Sequence, residues 1–235
     1  MSNTFYTEHS QYQDSRRSHW NGVARDTSRS WGGYYRNRLI QVFRLHVPEA
    51  SKVLEVGCAR GDLLAALKPE QGIGVDISPE MVAAARNRHP TLSFIVSDAH
   101  QLDLGEHTFD FIILSDVIND MWDLQLVLQQ LRRYCCPQTR IIFNFFSHLW
   151  QVPLALAQTL GVATPNLPQN WFTRHDVENL LELSGYEPLR SFEEVVAPLP
   201  FPVLSNFANR FFIQDCPLPL DGDGKLPGCT PGVGL

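Results

Sequence analysis

The stretch that decides the fold is VLEVGCARGD, residues 53–62. It begins inside an apolar run, Lys52–Val56, that predicts a buried strand, and it leads into a Leu- and Ala-rich segment from Asp62 that predicts a helix. Small residues at 57, 59 and 61 permit a tight turn and a close approach of the backbone to a ligand. The start of the helix offers unpaired N–H groups, which favour an anionic group. We interpret the stretch as a ligand-binding loop, with a purely structural turn as the alternative.

Strands and helices alternate along the chain around this loop. Strands are predicted at residues 52–56, 72–75, 92–96, 109–114 and 140–145. Helices are predicted at residues 34–46, 62–67, 79–88 and 124–134. Short strands separated by helices indicate βαβ units with a parallel sheet. The sequence therefore predicts the α/β class, as a doubly wound, mostly parallel sheet with an N-terminal helix.

The pattern is less regular after residue 145. We expect helices at about 149–160, 173–183 and 204–212, and a sixth strand at 186–196. The polar residues 1–30 predict a flexible arm or a short capping helix, and the Gly- and Pro-rich residues 215–235 predict a disordered tail. One domain then spans residues 31–214, with a helical cap from about 147–172 and 198–214.

Composition and charge narrow the possible functions. The chain has 235 residues and a net charge of −6, without the basic stripe typical of nucleic-acid binders, so we expect no nucleic-acid partner. No apolar run reaches the ~18 residues of a membrane-spanning helix, and the N-terminus lacks the apolar core of a secretory signal. Five cysteines without a CxxC pair indicate neither a zinc site nor a disulfide framework. We therefore expect a cytoplasmic protein, and composition leaves its oligomeric state open.

The spacing of the small residues separates two classes of nucleotide cofactor. A dinucleotide-binding fingerprint needs small residues at its first, third and sixth positions. Counted from Gly57, these positions hold Gly57, Ala59 and Asp62, and the aspartate disfavours the close packing required at the sixth position. Glycine occupies the fifth position instead, at Gly61. The loop therefore disfavours NAD.

Polar residues follow the predicted strands at their carboxyl ends. Asp76 ends the second strand and can accept hydrogen bonds from both hydroxyls of a ribose. Its alternative role is to help cap the next helix, although Ser78 already fills the cap position. Asp98 ends the third strand, and Ser115 and Asp116 end the fourth. Because ligands of open α/β sheets bind beyond the carboxyl ends of the strands, these segments predict one common site.

These motifs resemble those of class I S-adenosylmethionine-dependent methyltransferases, in particular the bacterial small-molecule type. The family motif, roughly E/D-x-G-x-G-x-G, is matched by Glu55, Gly57, Ala59 and Gly61, with alanine in place of the middle glycine. The run VDISPEM at residues 75–81 resembles the methyltransferase form of the second strand and its loop. The resemblance covers about residues 34–196. It implies S-adenosylmethionine as the cofactor and methyl transfer to a small molecule as the reaction.

The resemblance also implies individual roles. Asp98 and Ala99 contact adenine, although Asp98 could be an ordinary turn residue. Met81 packs with Ile77 against the adenosine, and a place in the core is its alternative. Tyr35 or Arg36 of a Tyr-rich N-terminal helix reaches the methionine carboxylate, or the aromatic start of that helix packs on the sheet. The expected cofactor-binding set is Tyr35, Arg36, Glu55, Gly57, Cys58, Ala59, Gly61, Asp76, Ile77, Met81, Asp98, Ala99, His100 and Ser115.

The sequence shows no clear catalytic base, and a base is needed only where the acceptor must lose a proton. The candidates near the expected mouth of the site are Asp116, His100 and His148. Acids at 116, 120 and 123 could hold Mg²⁺, but a solvated helix start explains them better, and we expect no metal. The expected cap contains aromatic residues that favour a hydrophobic acceptor: Trp150, Trp171 and Phe172.

One departure from the family pattern lies at the C-terminus, where the Gly- and Pro-rich tail occupies the position of the family's seventh, antiparallel strand. Arg210–Gln214 could be a short substitute. Two alternative functions stay open. One is a cofactor-binding regulatory module without turnover, which Ala59 and the missing base leave possible. The other is an NAD-dependent oxidoreductase, against which Asp62 and the Asp98–Ala99 pair count.

Overall fold

The computed structural model describes residues 2–25, 33–145, 155, 159, 167–189, 191–193 and 232–234. The α-helices of this part are α1 Ser2–Arg25, α2 Gly33–His46, α3 Asp62–Ala66, α4 Pro79–Arg88, α5 Leu124–Leu131 and α6 Arg174–Leu183. The strands are β1 Lys52–Val56, β2 Gln71–Asp76, β3 Ser93–Val96, β4 Phe109–Ser115, β5 Cys135–Asn144, β6 Ser191–Glu193 and β7 Gly232–Gly234. Short 3₁₀ turns occupy Ala99–Gln101, Ile118–Asp120 and Arg132–Tyr134.

The strands form one sheet in the order β3-β2-β1-β4-β5-β7-β6. Strands β1 to β5 are parallel, and β7 runs antiparallel to both β5 and β6. The prediction of a doubly wound, mostly parallel sheet is confirmed. The strand order reverses between β1 and β4, so the chain leaves these two neighbouring strands in opposite directions and a crevice opens beyond their carboxyl ends.

The structure has a seventh strand at Gly232–Gly234, which the Gly- and Pro-rich sequence of the tail did not predict. The other residues of the predicted tail, 215–231 and 235, lie outside the described residues. Val233 lies opposite Asn144 of β5 and Phe192 of β6. The exposed edge of β5 needs hydrogen-bond partners for its backbone, and this need outweighs the low strand propensity of a Gly-rich segment. The predicted substitute at 210–214, the predicted helix at 204–212, and His148 and Trp150 lie outside the described residues. The same holds for most of the predicted helix at 149–160.

The N-terminal segment is also corrected, because residues 2–25 form one 24-residue helix instead of a flexible arm. Helix α1 packs against α4. Asn21 accepts a hydrogen bond from the Ser78 hydroxyl at 2.6 Å, and Arg25 pairs with Glu80 at 2.7 Å. Polar contacts of this kind leave no apolar periodicity in the sequence, so the pattern of residues 1–30 predicted an arm or only a short capping helix.

The core lies on both faces of the sheet. Helices α2, α3 and α4 cover one face with residues such as Phe43, Leu64 and Val82, whereas α5 and α6 cover the other. Side chains alternate along β4, where Ile113 faces the first group of helices and Ile112 the second. Burial on both faces explains why the strands read as continuous apolar runs.

The local signals for helix starts are confirmed. The side chain of Ser78 accepts a hydrogen bond from the Met81 N–H at 3.1 Å, and α4 begins at Pro79 as predicted. Thr173 and Asp176 form a reciprocal capping box at the start of α6. Strand β6 is shorter than predicted, with three residues in place of the span 186–196.

Candidate active site

A cavity of about 480 Å³ lies at the carboxyl ends of β1, β2, β3 and β4, and α1 forms part of its wall. The cofactor residues predicted from sequence that line it are Tyr35, Arg36, Glu55, Gly57, Cys58, Ala59, Asp76, Ile77, Asp98, Ala99, His100 and Ser115. Residues that were not predicted also line it: Tyr12, Gln13, Arg16, Trp20, Val23, Val56, Arg60, Asp62, Leu63, Val75, Ser97, Val117, Asp120 and Met121. The catalytic candidate Asp116 lines it as well.

Two predicted cofactor residues lie outside the cavity wall. Met81 is buried in α4, which agrees with its alternative role as a core residue. Gly61 adopts φ 73° at the start of α3, and a Cβ there would lie 2.5 Å from the ring of Phe94. Gly61 therefore serves the packing of the loop against β3, although it is the residue that distinguishes the motif.

The loop after β1 has two further residues with positive φ. Gly57 has φ 77°, and a Cβ at this position would lie 2.6 Å from Val117. Ala59 has φ 46°, a conformation that glycine adopts without strain and alanine does not. The Ala59 N–H donates to Asp76 Oδ2 at 2.8 Å. This bond helps to hold the alanine in the left-handed conformation.

Asp76 links two loops below the cavity. One of its oxygens accepts the Ala59 N–H, and the other accepts the Ser78 N–H at 2.9 Å. Burial raises the pKa of Asp76, and these backbone hydrogen bonds partly offset the increase. A carboxylate has about four lone-pair sites, so Asp76 can still accept a hydrogen bond from a ligand in the cavity.

Glu55 is a buried carboxyl group at the floor of the cavity. It accepts a hydrogen bond from the Leu64 N–H at 3.1 Å and so satisfies one of the free N–H groups at the start of α3. Burial raises the pKa of Glu55 to about 8, and the nearby charges of Asp76 and Asp62 act in the same direction. Glu55 therefore joins β1 to α3 and carries a proton at neutral pH more often than not.

Asp98 is held by groups from its own turn and from α1. Its Oδ1 accepts hydrogen bonds from the His100 N–H at 3.2 Å and from the His100 ring at 2.7 Å, and the Gln13 amide donates to Oδ2. Burial raises the pKa of Asp98, but the hydrogen bonds from the ring and the backbone of His100 more than offset this and leave the pKa below its usual value. Asp98 therefore lines the cavity as an ionised carboxylate.

His100, a predicted candidate for the base, supports Asp98 instead. Its Nε2 accepts the Asp123 N–H at 3.1 Å, so the ring proton is assigned to Nδ1, which donates to Asp98. Neither ring nitrogen is left to take a proton from an acceptor. His9 joins these two residues in a cluster whose possible metal-ligating atoms lie within 4.8 Å of one another. The hydrogen bonds account for this clustering.

The acids after β4 do not converge on one point. Asp120 accepts a hydrogen bond from Arg16 at 2.9 Å, and Asp123 caps α5 by accepting the Leu126 N–H at 2.9 Å. Asp116 instead accepts a hydrogen bond from the Tyr35 hydroxyl at 2.6 Å. Within the described part of the chain, these groups form separate pairs and not a set of metal ligands.

Sequence reasoning missed the contribution of α1. Arg16 is buried and bonds to Asp120, to the Tyr12 hydroxyl at 2.9 Å and to the Pro168 carbonyl. Arg60 of the loop donates to the carbonyl groups of Val23 and Ala24 at 3.3 and 3.1 Å, near the end of the helix. The available signal was the helical spacing of residues 12, 16, 20 and 23, which places them on one face.

Arg36 lies at the rim of the cavity. Its Nη1 pairs with Asp62 Oδ2 at 2.8 Å, and half of its side chain is exposed. Burial raises the pKa of Asp62, but the hydrogen bond from His89 and the charges of Arg36 and Arg88 leave it below its usual value. Among the aromatic residues expected in the cap, Phe172 packs against the core of the sheet, and neither Phe172 nor Trp171 lines the cavity.

The fold and the position of the cavity define a class I methyltransferase-like α/β protein. Residues 48–185 match a family model described as a methyltransferase domain, and the chain belongs to that family. The assignment to methyltransferases made from sequence is confirmed. No helix of the described residues is long and apolar enough to cross a membrane.

Curated relatives match part of the chain. A demethylmenaquinone methyltransferase of Paenarthrobacter aurescens is 28% identical over 131 residues, which are 52% of this chain and 51% of the relative. A dTDP-4-amino-2,3,4,6-tetradeoxy-D-glucose N,N-dimethyltransferase of Saccharopolyspora spinosa is 26% identical and covers 58% and 57%. The chain spans about half the length of these relatives.

Solved structures share the fold. The magnesium protoporphyrin IX methyltransferase of Synechocystis, with bound S-adenosylhomocysteine, has a TM-score of 0.62 at 18% identity, over 77% of this chain and 92% of that one. The complex of the Haloferax volcanii Trm112 activator with a methyltransferase has a TM-score of 0.62 at 18% identity, over 78% and 86%. At this identity the likeness establishes the fold alone.

Proposed function

We propose that this chain transfers a methyl group from S-adenosylmethionine to a small molecule. The observation that carries the proposal is one cavity that combines a glycine loop after β1 with Asp76 after β2 and Asp98 after β3. The sheet order alone brings these three segments together. Membership of the methyltransferase-domain family supports the same function.

The residues of the cavity fit this cofactor. Asp76 can accept hydrogen bonds from the ribose hydroxyls, and Asp98 can accept one from the adenine amine while the Ala99 N–H meets a ring nitrogen. Gly57 lets the loop pass close to Val117, where a Cβ would overlap the valine side chain. These donors and acceptors match a nucleoside, and no part of the match requires a metal.

The geometry refines the assignment of two cofactor contacts, one to the methionine carboxylate and one to adenine. Arg36, whose partner Asp62 lies at the rim, is the residue we assign to the methionine carboxylate, because the Tyr35 hydroxyl is taken by Asp116. The Gln13 amide donates a hydrogen bond to Asp98 Oδ2, the carboxylate oxygen that we assign to the amine of adenine. Cofactor binding therefore replaces the Gln13 bond with a bond of the same kind.

The acceptor we propose is a small, partly hydrophobic molecule. Tyr12, Trp20, Val117 and Met121 give the cavity an apolar and aromatic wall. Two relatives carry the names of enzymes that act on demethylmenaquinone and on an amino sugar nucleotide, which also supports a small-molecule acceptor. We propose a cytoplasmic location, since Cys58, Cys135 and Cys136 are free thiols.

When bound, the cofactor supplies a methyl group on a positively charged sulfur that a nucleophile can displace in line. The contribution of the chain is alignment and the exclusion of water. Alignment contributes ~7–11 kcal/mol in favourable model reactions. Helix α1, fixed by the Arg16–Asp120 pair, forms part of the cavity wall and so reduces the access of water to the site.

Calorimetry with S-adenosylmethionine, S-adenosylhomocysteine and NAD tests the cofactor proposal. We expect both sulfur nucleosides to bind and NAD not to bind, and the opposite pattern would overturn the methyltransferase proposal in favour of a dinucleotide-binding protein. A screen of candidate acceptors, with product mass measured, then separates an active enzyme from a module that binds the cofactor without turnover.

Asp76→Ala is expected to weaken binding of S-adenosylhomocysteine by about 1–3 kcal/mol, the range for lost hydrogen bonds to a charged group. Asp103→Ala is the matched control, because Asp103 is an exposed carboxylate outside the cavity. A dissociation constant unchanged by Asp76→Ala would remove Asp76 from the site.

A further inference from the structure

One carboxylate of the cavity, Asp116, lies outside the set of residues assigned to the nucleoside of the cofactor. Asp116 follows β4 directly and adopts φ 55°, a left-handed conformation that costs free energy in a residue with a Cβ. The Tyr35 hydroxyl donates to its Oδ1 at 2.6 Å, and the Asn144 amide donates to the same oxygen. Three elements, α2, β4 and β5, thus fix one side chain.

The second oxygen of Asp116 is available to a ligand. Both hydrogen bonds end on Oδ1, and among the described residues none ends on Oδ2. Asp116 is only partly buried and lines the cavity, so a ligand there can reach it. Burial raises the pKa of Asp116 to about 6, although the hydrogen bonds from Tyr35 and Asn144 lower it. A carboxylate in this range can both take up and release a proton near neutral pH.

The sheet order places Asp116 on the side of the cavity opposite to the nucleoside. Asp76 and Asp98 follow β2 and β3, on one side of β1, whereas Asp116 and Asn144 belong to β4 and β5, on the other. With the adenosine on the first side, the second side is left for the reacting sulfur and the acceptor. Asp116 is the acid that α2, β4 and β5 hold at that place.

We propose that Asp116 is the base that receives the proton of the methyl acceptor, with Tyr35 and Asn144 as positioning residues. The proposal rests on the proposed function. The electron pair of the acceptor atom X forms the bond to the methyl carbon, the pair of the broken sulfur–carbon bond stays on sulfur, and the X–H proton passes to Asp116. The acceptor is therefore a molecule with a removable proton on X, such as a phenol, an enol or an amine.

Other ionisable groups line the same cavity and bear on the test. Tyr35 has its pKa raised well above the usual value by burial and by the charge of Asp116, so it stays protonated. Glu55 has a pKa of about 8 and is mostly protonated at pH 7. Arg16 and Asp120 neutralise each other. The ionisation of Asp116 changes the charge on this side between about pH 5 and about pH 7. His19 of α1, which interacts with Asp120 and Arg16, has its pKa lowered from the usual value by burial and also changes charge near this range. The comparison of the original protein with Asp116→Asn, and not the pH shift alone, therefore assigns a change of charge to Asp116.

The first experiment needs no acceptor. S-adenosylmethionine carries a positive sulfur and S-adenosylhomocysteine a neutral one, so an ionised Asp116 beside the sulfur favours the former. We expect the ratio of their affinities, measured by calorimetry, to shift several-fold toward S-adenosylmethionine between about pH 5 and about pH 7. Asp116→Asn should abolish the shift, and the exposed-site control Asp103→Asn should retain it.

The second experiment measures turnover with defined probes: 1,4-naphthalenediol, aniline and 3-methylpyridine, of which the last has no removable proton on its nucleophilic atom. We expect methylation of the diol or of aniline, with kcat lowered at least ~100-fold by Asp116→Asn at an S-adenosylhomocysteine affinity within about threefold of the original. Tyr35→Phe should shift the acidic limb of the pH profile to higher pH, because the Tyr35 hydrogen bond lowers the pKa of Asp116 and its loss raises that pKa.

The outcomes separate the two proposals. If neither sulfur nucleoside binds, the proposed function fails. If both bind but Asp116→Asn leaves the pH-dependent affinity ratio intact, or if 3-methylpyridine is the only probe methylated, the role of Asp116 is overturned. If no probe reacts, the pH-dependent affinity ratio tests the proposal: its loss in Asp116→Asn supports an ionisable Asp116 beside the sulfur, and its persistence overturns that role.

Discussion

At the scale of single residues, the loop after β1 combines a sequence departure with a strained backbone. Ala59 stands where the family motif has glycine, and its φ of 46° is the conformation that a glycine would adopt there. The Ala59 N–H bond to Asp76 compensates for part of the strain. The departure therefore affects stability and leaves the path of the backbone around the cavity unchanged.

Ala59→Gly is expected to stabilise the fold by about 0.5–1 kcal/mol. The left-handed conformation costs an alanine ~1–2 kcal/mol, and the greater freedom of glycine in the unfolded chain removes ~0.4–1 kcal/mol of the gain. Urea unfolding measures the difference. The same substitution at the exposed helical residue Ala83 should destabilise by about 0.5–1 kcal/mol, and equal effects at both positions would contradict the strain argument.

At the scale of elements, α1 depends on a buried ion pair more than on an apolar face. The side chains of Arg16 and Asp120 are both about nine-tenths buried or more. Removing one partner of such a pair leaves the other charge buried and unpaired, which typically costs ~3–5 kcal/mol. We therefore expect the contact between α1 and the rest of the domain to depend strongly on Arg16.

Arg16→Ala should loosen α1 without unfolding the sheet. We expect faster amide hydrogen exchange throughout α1 and faster dissociation of S-adenosylhomocysteine, by roughly tenfold or more. Arg17→Ala is the matched control, because the Arg17 side chain is 43% exposed and its ion pair is with Asp14, an exposed residue of the same helix. Equal exchange in the two variants would show that the Arg16–Asp120 pair does not hold the helix.

At the scale of the whole molecule, buried carboxyl groups couple folding to pH. Burial raises the pKa of Glu55 to about 8 and that of Asp116 to about 6, and it raises the pKa of Asp76 as well. The folded chain then keeps protons that the unfolded chain has already lost. Stability therefore falls as the pH rises from about 5 to about 8.

Glu55→Gln should reduce this loss of stability. Glu55 lowers the free energy of unfolding as the pH rises. This loss is absent below the unfolded pKa of about 4.5 and complete above about 8, and its upper bound is about 5 kcal/mol. Urea unfolding of both proteins at about pH 5 and about pH 8.5 is the measurement. We expect the variant to gain stability relative to the original protein at the higher pH, since glutamine can accept the Leu64 N–H without a charge. A constant difference between the two would rule out Glu55 as the source.

The candidate site was predictable where a motif carries its own local geometry. The cofactor residues of the β1, β2 and β3 loops line the cavity as expected, except Gly61 and Met81. The helical spacing of residues 12, 16, 20 and 23 was available in α1, but the partners of these residues were not predictable, because contacts over more than 80 positions along the chain are not marked in the sequence. The role of His100 depended on a hydrogen bond from Asp123, which no spacing reveals.

The sequence by itself determined the alternation of strands and helices, the helix cap at Ser78, and the spacing that disfavours a dinucleotide. Each of these depends on interactions between residues close in the chain. Only the tertiary structure decided that residues 2–25 form a helix over the site, that Gly232–Gly234 completes the sheet, and that Tyr35 and Asn144 meet at Asp116. These features depend on distant partners: a buried charge that needs its counter-ion, a strand edge that needs its hydrogen bonds, and a carboxylate held from three elements at once.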